Sequence, residues 1–342
     1  MEYLQAITEL IEKRSLSRKQ SADLFGTILD GKKSEIQAAA LLTALEVKGV
    51  TTDEVLGSIQ ALQQRMKTIT HGRMVIDTCG TGGDGKNTFN ISTATAILAT
   101  ACGAKVAKHG NKAASSRCGS ADVLESLGVN IHLKPDQAEE VLKHVGLVFL
   151  YAPYYHPSFK SIIDVRRQLG FRTLMNLLGP FLNPARVRRQ LIGVPNKKIA
   201  RLMSDVSIHL NYDHLLVVAN DEELDEISLN VPSKVYEIKG QDKRSFTIHP
   251  EKLGFQPCRL SDIAGGTPEE NASIIRDIVN GQGGPRRDIA VLNTAFTLLV
   301  ARQVSNVREG IELTTRMIDT GEAAKTLDSL ITVSNHYGRH AN

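Results

Sequence analysis

The chain has 342 residues, 42% hydrophobic and 23% charged, which is ordinary globular composition and more length than one core usually supports. Its 41 basic and 37 acidic residues leave a net charge of only +4, too little for a protein that coats nucleic acid. No apolar run reaches the roughly 20 residues that span a bilayer, and Cys79, Cys102, Cys118 and Cys258 lack metal or redox spacing. The expectation is a two-domain cytoplasmic protein with reduced thiols and neither a membrane nor a nucleic-acid partner.

Residues 1–72 read as helices alone. The opening MEYLQAITELIEKR carries acids in an amphipathic pattern and has no signal-peptide core, with Leu4, Ile7, Leu10 and Ile11 on one stripe. Ser34 opens a helical run that ends near Gly49, and Thr51 with Glu54 forms a capping-box pattern ahead of Val55, Ile59, Leu62 and Met66. From residue 73 the texture changes. Strands are expected at 74–76, 104–107, 146–151, 214–219 and 288–291. They alternate with helices at 91–101, 120–127, 135–145, 197–210, 272–279 and 293–301. This is an α/β pattern, a small helical domain followed by a larger domain (73–342) with a mostly parallel central sheet. Residues 161–182 interrupt the alternation, and a stretch of about 161–186 is expected to rejoin the helical domain.

Four segments carry chemistry. The first, DTCGTGGDGKNTFNIST at 77–93, holds four glycines, two acids and five hydroxyls in 17 positions, between a strand and a helix. Such a junction presents backbone N–H groups and a helix N-terminus to an anion, and the alternative is a plain glycine-rich turn. The second, Lys108 to Ser120, brings three cations, serines and an asparagine to the end of the next strand, with Ser120 as the expected N-cap of ADVLESLG. Alone, such a loop is more often a solvated basic turn. Side by side, the two loops suit a ligand with separated phosphates, because ligands of parallel sheets sit beyond the strand C-termini. The third segment follows LLVVA and packs five carboxylates into 221–226. It is a solvated acidic turn unless phosphates lie near, in which case Asp225 and Glu226 suit Mg²⁺. The fourth, YAPYYHPSFKSIIDVRR at 151–167, sets aromatic rings beside arginines, which suits a flat ring bearing a carboxylate.

Taken together and in this order, GTGGD with TFNIST, KHGN with SSRCGSADVLESLG, HPSF with VRRQLGFRT and NLLGPFLNP, and LDEIS resemble the anthranilate phosphoribosyltransferase family over nearly the whole chain. The resemblance implies a nucleoside phosphorylase/phosphoribosyltransferase-like fold and transfer of the phosphoribosyl group of 5-phosphoribosyl-1-pyrophosphate (PRPP) to the amine of anthranilate. It further implies that Gly80, Gly82, Gly83 and Asp84 surround the pyrophosphate, with Gly80 also near anthranilate. Thr88, Asn90, Ile91, Ser92 and Thr93 would contact PRPP. So would Lys108, His109, Gly110, Asn111, Lys112, Ala113, Ala114, Ser115, Ser116 and Ser120. Asn111 and Arg166 would hold anthranilate, with His109, His156 and Phe159 along its path. Ser92, Asp225 and Glu226 would bind magnesium, two ions per monomer, and the helical domain would form a homodimer. Three departures stand out: Phe159 replaces a more usual tyrosine, Asn220–Glu223 a more usual glycine-rich loop, and Leu182 the threonine of TNP.

An arylamine is neutral at physiological pH, so the chemistry needs positioning and stabilisation of the leaving group more than a strong base. His109 is the candidate for an auxiliary proton transfer. Two other readings compete. A pyrimidine-nucleoside phosphorylase would carry a KxSTGG-type loop, and a non-catalytic nucleic-acid-binding relative would be strongly basic.

Overall fold

The computed structural model describes residues 2–72, 74–82, 84–113 and 117–339, without the side chains of 161 and 339. Gly83, Ala114, Ser115 and Ser116 of the expected loops lie outside the described residues.

The chain opens with four helices, α1 (Tyr3–Ile11), α2 (Arg18–Leu29), α3 (Glu35–Lys48) and α4 (Thr52–Gln63). Ser17, Ser34 and Thr51 each close a capping box with Gln20, Gln37 and Glu54. Glu54 does more than cap. Its buried carboxylate also takes the Leu16 N–H and the Lys48 ammonium, both at 3.0 Å, which ties three segments together. The stripe expected on α1 splits: Leu10 is buried, whereas Leu4 is 75% and Ile11 70% exposed.

The second part alternates strands and helices: β1 (Asp77–Gly80), α5 (Ile91–Ala101), β2 (Val106–Gly110), α6 (Ser120–Ser126), α7 (Pro135–Val145), β3 (Leu147–Tyr151) and the single turn α8 (Ala152–Tyr155). Then come α9 (Lys160–Leu169), α10 (Met175–Leu178), β4 (Arg189–Gly193), α11 (Lys197–Ser207), β5 (His214–Asn220), β6 (Ser233–Lys239) and β7 (Asp242–Ile248). Four helices close the chain: α12 (Pro268–Val279), α13 (Pro285–Val300), α14 (Val307–Asp319) and α15 (Glu322–Arg339).

The sheet runs β1-β4-β5-β6-β7, and β2-β3 joins it through a parallel bridge between Ile76 and Val106. β3, β2, β1, β4 and β5 are parallel, so their C-terminal ends share one edge, while β6 and β7 are antiparallel. Strand periodicity separates two cores. On β5, Leu215, Val217 and Ala219 face the core of α1–α4, whereas Leu216 and Val218 face the core of α5 and α13. Ile162 and Val165 of α9 and Met175 and Leu178 of α10 belong to the first of these cores.

Some expectations need correction. Residues 288–291 are not a strand but part of the 16-residue α13, which is buried around most of its circumference and so lacks a polar face to reveal its period. β1 lies just beyond the apolar run at 74–76, which contributes only the Ile76 bridge. Gly119, not Ser120, is the N-cap of α6. β4, β6 and β7 were not anticipated.

Candidate active site

β1 and β4 both end in glycine, and Gly80 pairs with Gly193 across the ladder. A Cβ on Gly80 would lie 2.2 Å from the Asp225 carboxylate, and one on Gly193 only 1.7 Å from the Asp225 carbonyl oxygen. Two glycines facing each other thus let the turn after β5 fold back over the strand ends. Asn220 stabilises that turn, donating its side-chain amide to the carbonyls of Leu224 and Glu226. Gly82 N–H then donates to Asp225 Oδ2 at 2.7 Å.

Asp84, Asp225 and Glu226 therefore gather at one point. Burial, together with Asp84, raises Asp225 to about 7. Burial and the neighbouring Asp225 push Glu226 well above the ordinary carboxylate range. The backbone of Ser92 favours the ionised form of Glu226, so the first turn of α5 already faces a protein carboxylate. Lys108 supplies a buried countercharge, its ammonium 2.8 Å from Thr78 O and 3.1 Å from Ser92 Oγ. Carboxylates that raise one another suit a hard divalent cation that would replace their protons. Among the described residues no three His, Cys, Asp or Glu side chains form a closed metal cage. Mg²⁺ needs none, since it takes one or two carboxylates and leaves sites for waters and phosphate oxygens.

The other expected donor residues sort into reachable and committed groups. Asn90 ties three segments, donating to Cys118 O and accepting from Asn271. Ile91 and Thr93 have buried side chains, and their N–H groups go to Phe89 O and Asn90 O. Thr88 bridges to Ala264 through its backbone. The second loop is held by Asp122, which accepts from Ala113 N–H and Gly119 N–H, while Lys112 pairs with Glu125 at 2.8 Å. Gly110 is required where it stands, because a Cβ there would meet Ser120 Oγ at 2.2 Å.

Beside these loops lies a cavity of about 540 Å³ whose walls include Gly80, His109, Asn111, His156, Phe159 and Arg166. His109 and His156 touch through their Nε2 atoms at 3.2 Å, and Phe159 packs edge-on against His156. Burial drives both imidazoles to the neutral form, His109 well below its ordinary value and His156 to about 4. The backbone at Gly179 favours the protonated form of His109, and that at Leu182 the protonated form of His156, but burial outweighs both. Arg166 is partly buried and desolvated. No protein carboxylate pairs with it among the described residues, whereas Arg167 pairs with Asp164 on the solvent side at 2.8 Å.

Sequence reasoning missed several walls of this cavity, including Asp77, Met175 and Asn176. Asp77 is buried and accepts from Asn183 Nδ2 at 2.8 Å and from Gln190 Nε2 at 3.3 Å. Asn183 also donates to Ala107 O at 2.7 Å. The asparagine of LNP thereby fixes the segment after α10 to the floor of the site. Only its position between two apolar residues and a proline could have flagged it.

A charged, glycine-floored strand edge beside a cavity with one uncompensated arginine defines a transferase site that joins a polyanionic donor to a small acceptor. Residues 72–324 match the glycosyl transferase family α/β domain, and residues 4–66 match its helical bundle domain. The anthranilate phosphoribosyltransferase of Acetivibrio thermocellus is 42% identical, over 97% of each chain. The crystal structure of the Thermus thermophilus anthranilate phosphoribosyltransferase superposes with a TM-score of 0.90 at 33% identity, over 96% of this chain and 99% of that one. The Saccharomyces cerevisiae anthranilate phosphoribosyltransferase in complex with PRPP and Mg gives 0.90 at 27% identity, over 98% of each chain. The chain belongs to the anthranilate phosphoribosyltransferase family.

Proposed function

We propose that this enzyme transfers the phosphoribosyl group of PRPP to the amine of anthranilate, giving N-(5-phosphoribosyl)anthranilate and pyrophosphate, the second step from chorismate towards tryptophan. The observation that carries this reading is the unpaired Arg166 in a cavity that shares Gly80 and Asn111 with the glycine and KHGN loops. In this reading Gly80, Gly82, Gly83 and Asp84 hold the pyrophosphate, and Thr88, Asn90, Ile91, Ser92 and Thr93 with Lys108–Ser116 and Ser120 complete the PRPP site. Ile91 and Thr93, with buried side chains and N–H groups taken by Phe89 O and Asn90 O, act in this reading by shaping the first turn of α5. Arg166 and Asn111 take the anthranilate carboxylate, with His156 and Phe159 against the ring. Magnesium, two ions per monomer on Ser92, Asp225 and Glu226, would neutralise the pyrophosphate oxygens as a Lewis acid.

The protein's own task is placement. The C1–O bond breaks with its electron pair leaving on pyrophosphate, and the amine lone pair forms the C1–N bond. The extra N–H proton departs afterwards, and neutral His109 can accept it. Lys108 holds the Ser92 hydroxyl from one side, donating to its Oγ at 3.1 Å. The test is loss of anthranilate fluorescence with PRPP and Mg²⁺. No loss, with phosphate-dependent nucleoside cleavage in its place, would turn the assignment to a nucleoside phosphorylase.

We assign residues 1–72 and about 161–186 to one helical unit and the rest of 73–342 to the PRPP-binding unit, because α9 and α10 share the core of α1–α4. A homodimer through the helical unit is supported by Leu4 and Ile11 on α1 and by Ile36 (82% exposed) and Val47 (80% exposed) on α3. Sedimentation of a single-chain mass at micromolar concentration would remove that reading. A cytoplasmic site of action accords with the biosynthetic reaction. Among the described residues no helix is long and apolar enough to cross a membrane.

A further inference from the structure

Arg172 lies in the short connection between α9, which carries Arg166, and α10, which lines the cavity with Met175 and Asn176. Its guanidinium leaves that segment and donates to the Gly82 carbonyl at 2.9 Å. The same glycine gives its N–H to Asp225 at 2.7 Å. One residue of the GTGGD loop, Gly82, is thus held through its N–H by the carboxylate turn and through its carbonyl by the connection that shapes the acceptor pocket. Arg172 is also close enough to Asp225 to favour its ionised form. Thr173 and Leu174, the next two residues, are buried, and Thr173 N–H is fixed by Asn176 at 3.1 Å, so movement of Arg172 is passed directly to the cavity wall.

We propose that Arg172 is a positioning residue that couples the two substrate sites, so that filling the pyrophosphate loop tightens the acceptor cavity around the ring. The inference rests on the reading of the two sites given above. When the loop takes up a polyanion, Gly82 and its partners reorganise around the new charge. Arg172 follows, drawing with it the connection between Arg166 and Met175. Coupling of this kind must be reciprocal, because both ligands bias the same arrangement.

The test uses Mg²⁺-pyrophosphate, which fills the loop without reacting, and the Kd of anthranilate measured by fluorescence with and without it. The unmodified protein should bind anthranilate about fivefold or more tightly in the presence of Mg²⁺-pyrophosphate. In Arg172→Ala the ratio should fall below about twofold while the Kd without pyrophosphate stays within about threefold, which a general loss of structure would not give. Arg172→Gln repeats the test with less volume lost, and Arg172→Lys, which keeps a charged donor, should retain part of the coupling. The same ratio in Arg172→Ala as in the parent, or no coupling in the parent, overturns the proposal. Turnover of PRPP and anthranilate by the parent keeps the function itself separate, since that reading fails only if turnover is absent.

Discussion

The turn at Asp225–Glu226 and the cavity under α9 lie side by side on one edge of the sheet, yet they treat charge in opposite ways. Around the turn, three carboxylates and a buried lysine are packed together and held chiefly by backbone, with glycines supplying the room. In the cavity, two histidines are held neutral by burial, and Arg166 brings a charge that no protein carboxylate pairs with among the described residues. The contrast follows the two partners of the reaction. A departing pyrophosphate brings several negative charges that need a site able to collect cations. An arylamine attacks as a neutral group and needs only its carboxylate fixed and its ring enclosed.

The largest effect is expected where the charged half depends on a missing Cβ. In Gly193→Ala the new methyl would stand 1.7 Å from the Asp225 carbonyl oxygen, and backbone on both sides cannot yield as a side chain would. The turn should shift by about an ångström, and kcat should fall by about 10²-fold or more, with about 1–3 kcal/mol lost in stability. Steady-state kinetics and chemical denaturation read both. Activity within a fewfold of the parent would mean that the carboxylates need no such fixed seat.

In the neutral half, Arg166→Ala should raise the anthranilate KM by about 10–100-fold and leave the KM for PRPP nearly unchanged, as expected from losing about 1.5–3 kcal/mol of charged hydrogen bonding. Equal changes in both constants would show that the two halves are not separable at this residue.

The histidine pair sharpens the contrast through pH. His156 binds its proton at about 4 in the folded protein against 6.5 ordinarily, because burial penalises the imidazolium. Its contribution to stability is therefore present above pH 6.5 and is lost as pH falls from 6.5 towards 4, since the unfolded chain gains a proton there that the folded one refuses. His156→Asn should remove a loss on the order of 1–3 kcal/mol from that window, measured by denaturation at several pH values. A parent and variant with parallel profiles would mean that the imidazole is not held neutral.

Much of the charged half was legible because its chemistry is written in local strings. Gly80 to Asp84, Lys108 to Asn111 and Asp225–Glu226 each follow a strand, and parallel strands bring such loops to one edge. Gly193 was not legible. Its role comes from standing opposite Gly80 in the ladder, which depends on β4, a strand whose apolar run is too short to announce itself. The neutral half was legible at His156, Phe159 and Arg166, which share one segment, but not at Asp77 or Asn183, whose partners are distant in sequence. Arg172 was hidden for a related reason, since its partner is a backbone carbonyl 90 residues away.

The smallest effect is expected from the extra acids before Asp225, which stood out in the sequence in place of a more usual glycine-rich loop. Each already has a partner. Asp221 meets Lys197 at 2.6 Å, Glu222 accepts from Ser228 and Asn230, and Glu223 lies 3.3 Å from Lys86. The Glu223–Lys86 pair reaches from the turn to the GTGGD loop, but Glu223 is well exposed, and an exposed pair of this kind contributes about 0–1 kcal/mol. Glu223→Gln should accordingly move the Mg²⁺ concentration for half-maximal rate by less than about threefold, and less still in 0.5 M salt, where screening has removed most of the interaction already. A tenfold shift that persisted in salt would extend the charged half outward from Asp225 and make this pair part of the cradle and not only its rim.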